Sequence, residues 1–250
     1  MMEEIIQKPF STEIAERLET TELPSGFSKR RFIQNAVSLL NEKPDLAEAG
    51  KAQLLAGLMK GASLGLDFYN KQCYLIPRKD KNGFLHLDFQ LDYKGCTTLC
   101  KKYSIRPLLD IQANVVREGD DFQLKISGND QEVIHTSNPF MKKPVIGAYA
   151  IAYFKDGGKM VETMTLDEIN MARSKSKTRG QVWSEWFNEM AKKTVIHRLA
   201  KHIDIDFENA IQQNLFNNDC AIETDPKEQT KKDIEEVEVI EFDDEVVDEA

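Results

Sequence analysis

The chain has 250 residues, with 33 basic and 42 acidic side chains, a formal charge of −9 and four cysteines. That length holds one fair-sized domain with tails, or two small domains. No window nears the ~18 apolar residues of a membrane span, and the start, MMEEIIQKPF, has neither the basic region nor the apolar run of a secretory signal; a soluble, cytoplasmic protein with no membrane contact is expected.

The negative charge is concentrated at one end. Residues 222–250 carry thirteen acids and three bases, which leaves residues 1–221 with 30 bases and 29 acids. A nearly neutral body with local basic clusters suits a nucleic-acid-facing core, and the acidic segment suits protein contacts. Residues 217–250 are expected to form a disordered acidic tail.

Residues 1–24 are mostly polar, end at Pro24 and are expected to be a flexible or loosely docked arm. From Ser28 to Leu40, Phe32, Ile33, Ala36, Val37, Leu39 and Leu40 form a helical stripe that ends at Asn41-Glu42-Lys43-Pro44. A second helix is predicted from Asp45 to about Lys60, broken by Gly61 to Gly65. Gln72–Pro77 and Phe84–Leu91 read as paired strands, because Asn82-Gly83 between alternating runs is a strong hairpin signal. At Tyr93-Lys94-Gly95 the period changes from two to three and four, which predicts a short helix to Tyr103.

Further strands are predicted at Arg106–Val116, Phe122–Ile126, Val133–His135, Val145–Phe154 and Lys159–Met164. Thr165 reads as an N-cap followed by the acids Asp167 and Glu168, so a helix runs from there to about Ser174. Ser174–Gly180 is a loop. Trp183 to about His202 is the longest predicted helix, and Asp206–Phe216 a short last one. The fold class is α+β: N-terminal helices, a mostly antiparallel sheet with an inserted helix, then a long C-terminal helix, in one core over residues 25–216.

Several chemistries lack their motifs. There is no GxxxxGK[ST] phosphate loop, no HExxH and no GxSxG. Cys96 and Cys100 have no second pair and no nearby histidine cluster, so buried thiols in a reducing compartment explain them better than zinc. His197 and His202 are five apart, wrong for two ligands on one helical face. A metal nuclease needs converging carboxylates; Asp67, Asp88, Asp92, Asp110, Asp120 and Asp121 supply acids but no spacing beyond strand alternation.

The cations are more informative. Arg173, Lys175, Lys177 and Arg179 alternate with Ser174, Ser176, Thr178 and Gly180, which suits phosphate contact without sequence readout. The long helix adds Lys192, Lys193, Arg198 and Lys201, of which Lys193 and Lys201 can share a flank. Lys101 and Lys102 end the Tyr93 helix, where the helix dipole alone favours cations. Arg78, Lys79 and Lys81 cap the hairpin, where solvation alone also suffices. The strand-to-helix junction can offer Lys94 and backbone N–H groups to a phosphate, with Tyr93 as the better stacking candidate. Trp183, Trp186 and Phe187, at helical spacing, read as core.

Three stretches together resemble the RecT family of phage recombinases. LDFQLDYKGCTTLCKKY is similar to its strand, glutamine, tyrosine-lysine-glycine turn and helix. SLGLDFYNKQCYLIP is similar to its helix end, strand and proline, and WSEWFNEMAKKTVIHRLAKHI to its tryptophan-containing helix. Order and spacing agree over roughly Ala52 to His202. The resemblance implies an ATP-independent protein, not a bond-making or bond-breaking enzyme, that coats single-stranded DNA as a ring or helical filament and pairs it with a complementary strand. It also implies a phage exonuclease partner, and a host single-strand-binding protein is a further expected partner. By the same resemblance, Gln90, Tyr93, Lys94, Lys192, Lys193 and Arg198 contact DNA, with Arg173, Lys175, Lys177 and Arg179 in a more variable loop. No cofactor is implied, and Mg would act only by modulating charge screening.

The physics of annealing agrees. The bases supply the pairing energy, while the protein must offset phosphate repulsion and leave base edges free. Two other readings remain open on the residues alone: a metal-dependent DNA nuclease using one of the aspartates, and an acidic-tailed scaffold whose basic loop is incidental.

Overall fold

The computed structural model describes residues 2–80, 82–128, 130–176 and 181–220. Residues 1–24, read as a flexible or loosely docked arm, contain helix α1 (Met2–Thr20), which docks by burying Phe10, Ile14 and Leu18 in the main core. Their four-residue spacing puts all three on one helical face, a pattern masked by the polar residues between them.

Helix α2 (Lys29–Glu42) starts where Ser28 Oγ accepts from Arg31 N at 3.4 Å, and it buries Phe32, Ala36 and Leu39. The second predicted helix is split. Pro44–Ala49 is a 3-10 turn, Gly50 interrupts at φ 90°, and α3 runs Lys51–Leu64, through the expected break at Gly61. Gly61 and Gly57 serve packing instead: a Cβ on either would meet the side chain of Phe68 or Leu75 at 2.5–2.6 Å.

Strands β1 (Cys73–Lys79) and β2 (Leu85–Leu91) form an antiparallel hairpin in register Cys73↔Leu91. Helix α4 (Tyr93–Tyr103) follows directly. The strands β3 (Leu108–Arg117), β4 (Asp121–Ser127), β5 (Asp130–Thr136), β6 (Val145–Phe154) and β7 (Lys159–Thr165) come next. Instead of one sheet they form two: β3-β6-β7, and the separate hairpin β4-β5. All pairings are antiparallel.

Strand β6 explains the layering, because it is buried on both faces. Ala148, Ala150, Ala152 and Phe154 face the main core, while Tyr149 and Ile151 form a second cluster with Val116 of β3 and with Phe122 and Val133 of the overlying hairpin. His135 locks that hairpin down: its ring nitrogens lie 3.0 Å from Asp120 Oδ2 and 3.1 Å from the Tyr149 hydroxyl.

Helix α5 (Leu166–Lys175) opens with a full capping box of Thr165 and Glu168. The long predicted helix is broken at Trp186 into α6 (Gln181–Glu185) and α7 (Phe187–Ala200), and α7 packs on β6, β3 and α4. Helix α8 (Ala210–Cys220) extends past the expected core boundary at 216 and returns to α3. Its buried Gln212 donates to Ser63 O at 2.8 Å and to the Tyr103 hydroxyl at 3.4 Å. The acidic segment from 221 onward lies outside the described residues. Among those that are described, no helix is long and apolar enough to cross a membrane.

Candidate nucleic-acid interface

The site is built on the β1–β2 hairpin and the helix that leaves it. Leu87, Phe89 and Leu91 turn one face of β2 inward; His86, Asp88 and Gln90 lie on the other, across from Arg78, Ile76 and Tyr74. The ladder is extended by Asp92 N donating to Gln72 O at 2.9 Å. Asp92 then caps α4, its Oδ1 accepting from Lys94 N at 3.1 Å. This corrects the phosphate-cradle expectation at the backbone: a carboxylate already occupies the helix N-terminus, so what the junction offers outward is the Lys94 side chain.

Gly95 makes that junction possible. A Cβ there would sit 2.1 Å from Gln72 O, so only glycine lets α4 start against the backbone that leads into β1. Tyr93 is 37% exposed and Lys94 is exposed. The Lys94 ammonium has no ion pair among the described residues. Neighbouring Tyr74 is pushed up in pKa, first by burial and then by the charge of Asp92, so its hydroxyl stays protonated. Gln90 is half-buried, with its amide 3.4 Å from Asp88 Oδ2.

The other predicted cations divide by whether a carboxylate already holds them. Arg78 pairs with Asp88 at 3.0 Å, both largely covered. Lys101 pairs with Asp110 at 3.2 Å. Lys102 donates to the Tyr103 hydroxyl at 2.9 Å and lies 3.9 Å from Glu208. Lys192 pairs with Glu189 at 2.6 Å. Arg198 is held twice, by Glu162 at 2.9 Å and Glu168 at 2.7 Å. The Glu168 carboxyl is held below its usual pKa, first by the Thr165 N–H and then by Arg198.

Lys193, Arg173 and Lys175 are half-buried and, like Lys94, without an ion pair among the described residues. Lys201 is exposed at the C-terminal end of α7. Lys177 and Arg179 lie outside the described residues.

The aromatics also divide. Trp183 is 2% exposed and packs on Phe187 with ring centroids 6.1 Å apart, as core. Trp186, read with it as core, is instead 60% exposed at the break between α6 and α7. Lys193 follows within α7, about two turns beyond the break. Periodicity could not reveal this, because it assumed an unbroken helix.

The candidate nuclease carboxylates are dispersed and engaged. Asp67 accepts from Asn35, Asn70 and Tyr69 N, and Asp120 from Arg117 N at 2.8 Å. Asp88, Asp92 and Asp110 serve the ion pairs and cap described above. Among the described residues, no three His, Cys, Asp or Glu side chains gather into a group that could hold a metal. Cys73, Cys96 and Cys100 are buried and outside any disulfide.

An unpaired ammonium next to an exposed aromatic ring, as at Lys94 and Tyr93 on this α+β body, suits a polyanion that carries flat bases. Comparison with known proteins gives the same class. The family model described as the RecT family matches residues 30–237. Protein RecT of Escherichia coli (strain K12) is 31% identical over 192 residues, covering 74% of this chain and 70% of that protein. The chain belongs to the RecT family, a family of DNA-binding proteins of recombination and strand annealing.

Proposed function

We propose that this protein anneals complementary DNA single strands without hydrolysing a nucleotide, coating one strand as an oligomer in the cytoplasm of a bacterial host. The observation that carries this reading is the division of the cations. Lys94 and Lys193 have no ion pair among the described residues, Lys94 directly follows the exposed Tyr93 and Trp186 adds a second exposed ring, whereas Arg78 and Arg198 are held by carboxylates within the fold. Ammoniums neutralise phosphates whatever the sequence, and rings stack on any base, so base edges stay available to the second strand. Neither task makes or breaks a covalent bond.

Self-association as a ring or helical filament would continue the surface from one subunit to the next. The acidic tail, at net −10 over residues 222–250, suits contacts with a phage exonuclease or a host single-strand-binding protein. Mg would act by screening charge.

The test is annealing of two complementary fluorescent oligonucleotides without nucleotide, with and without Mg, followed by denaturing electrophoresis. Faster duplex formation with both strands intact supports the reading. Mg-dependent shortening of either strand would replace it with a nuclease, and no effect on pairing or length would leave a scaffold.

A further inference from the structure

Beside Tyr93 and Lys94 stands a second aromatic–lysine pair on the turn that connects α3 to β1. Tyr69 is 51% exposed, Lys71 is exposed, and neither side chain has a charged partner among the described residues. Lys71 has φ 57°, and among the described residues it is the one non-glycine at positive φ. A left-handed lysine is costly, so surrounding structure must hold it.

The hold is visible. The buried Asp67 carboxylate accepts from Tyr69 N at 2.8 Å, Asn70 Nδ2 at 3.0 Å and Asn35 Nδ2 at 2.5 Å. Lys71 N donates to Phe68 O at 3.1 Å and Gln72 N to Asp67 O at 3.1 Å. The Gln72 side chain accepts from Asp67 N at 2.9 Å and donates to Thr98 Oγ1 at 3.3 Å, and Thr98 Oγ1 donates to Lys94 O at 2.7 Å. One side chain therefore ties the Tyr69 turn to the first turns of α4. Because Asp92 N donates to Gln72 O, Lys71 and Tyr93 leave the hairpin end from its two strands.

Asp67 is the carboxylate nearest in sequence to Lys71, yet it is spent on neutral donors, so the Lys71 charge is left facing outward. We infer that Tyr69 and Lys71 extend the DNA surface past Lys94: Tyr69 stacks on a base of the bound single strand, and Lys71 meets a phosphate of the same strand. A turn fixed by hydrogen bonds to the buried Asp67 carboxylate presents both groups with little backbone ordering cost at binding. This rests on the proposed function.

The experiment is fluorescence-anisotropy binding of the full chain to labelled oligo-dT and to an abasic oligonucleotide of equal length. Tyr69→Ala should weaken oligo-dT binding about tenfold and leave the abasic strand within twofold, with Tyr69→Phe close to wild type. Lys71→Gly, which removes the ammonium while suiting positive φ, should weaken both strands alike and lower the salt slope by about 1; Lys71→Arg should restore both. Thermal melts confirm that each variant is folded. If Lys94→Ala weakens binding while Tyr69→Ala and Lys71→Gly bind like wild type, this inference is overturned and the proposed function stands. If wild type binds neither strand, both fall.

Discussion

Arg198 Nη1 lies 2.7 Å from Glu168 Oε1, and the same Glu168 side chain accepts from Thr165 N to close the capping box of α5. One guanidinium therefore joins α7 to the start of α5, and through Glu162, at 2.9 Å from its Nε, to β7. Arg198→Ala should lower stability by on the order of 1–2 kcal/mol, allowing for partial exposure, or a few degrees in Tm. Arg198→Lys should recover part of the loss. Single-strand affinity well below the melting temperature should change less than twofold, measured alongside the melts. A large affinity loss without a stability loss would return Arg198 to the DNA surface.

Gly95→Ala places a methyl 2.1 Å from the Gln72 carbonyl, where only backbone can yield. The cost should approach about 3 kcal/mol, read as a lower denaturant midpoint. Gly83→Ala is a contrast, since nothing lies within 4 Å of its added methyl and only its φ of 84° is disfavoured.

Both the hairpin and the start of α4 were legible in the sequence, because their signals are local: alternation, Asn82-Gly83 and the change of period at Tyr93. The Thr165 cap was legible for the same reason. What the sequence hid was non-local. Lys101 and Asp110 meet across the α4–β3 connection, and Arg198 meets Glu162 from 36 positions away, so charge was readable but its engagement was not. Trp186 and Trp183 looked alike until a break in the helix turned one outward. Docking of α1 was written in Phe10, Ile14 and Leu18, but a narrow apolar stripe in a largely polar segment shows its partner only once a surface exists to receive it.

Acid should unfold this protein through particular carboxylates. Asp120 is held below its usual pKa by the Arg117 N–H first and His135 next, and Asp156 by Arg106 first. A carboxyl depressed in the fold adds stability that is fully present above its unfolded pKa and lost as pH falls through the folded one. Tm should therefore be flat near neutrality and fall below about pH 5. Asp120→Asn should lower Tm at pH 7 and make the acid limb shallower, as followed by circular dichroism. An unchanged acid limb would remove Asp120 from that role.

Deleting residues 222–250 removes a net −10 and none of the cations proposed to meet DNA. Binding to a single-stranded oligonucleotide should be kept, or tightened a few-fold at low salt as repulsion is lifted. Loss of binding would instead support the scaffold reading.

The most direct measurement is single-strand affinity across a salt series, for wild type, Lys94→Ala and Lys193→Ala, on oligonucleotides of two unrelated sequences. Log affinity should fall steeply and linearly with log salt and be nearly the same for both sequences. Each substitution should lower the slope by about 1. A shallow slope, a strong sequence preference, or variants indistinguishable from wild type would contradict the account of free ammoniums neutralising the DNA backbone.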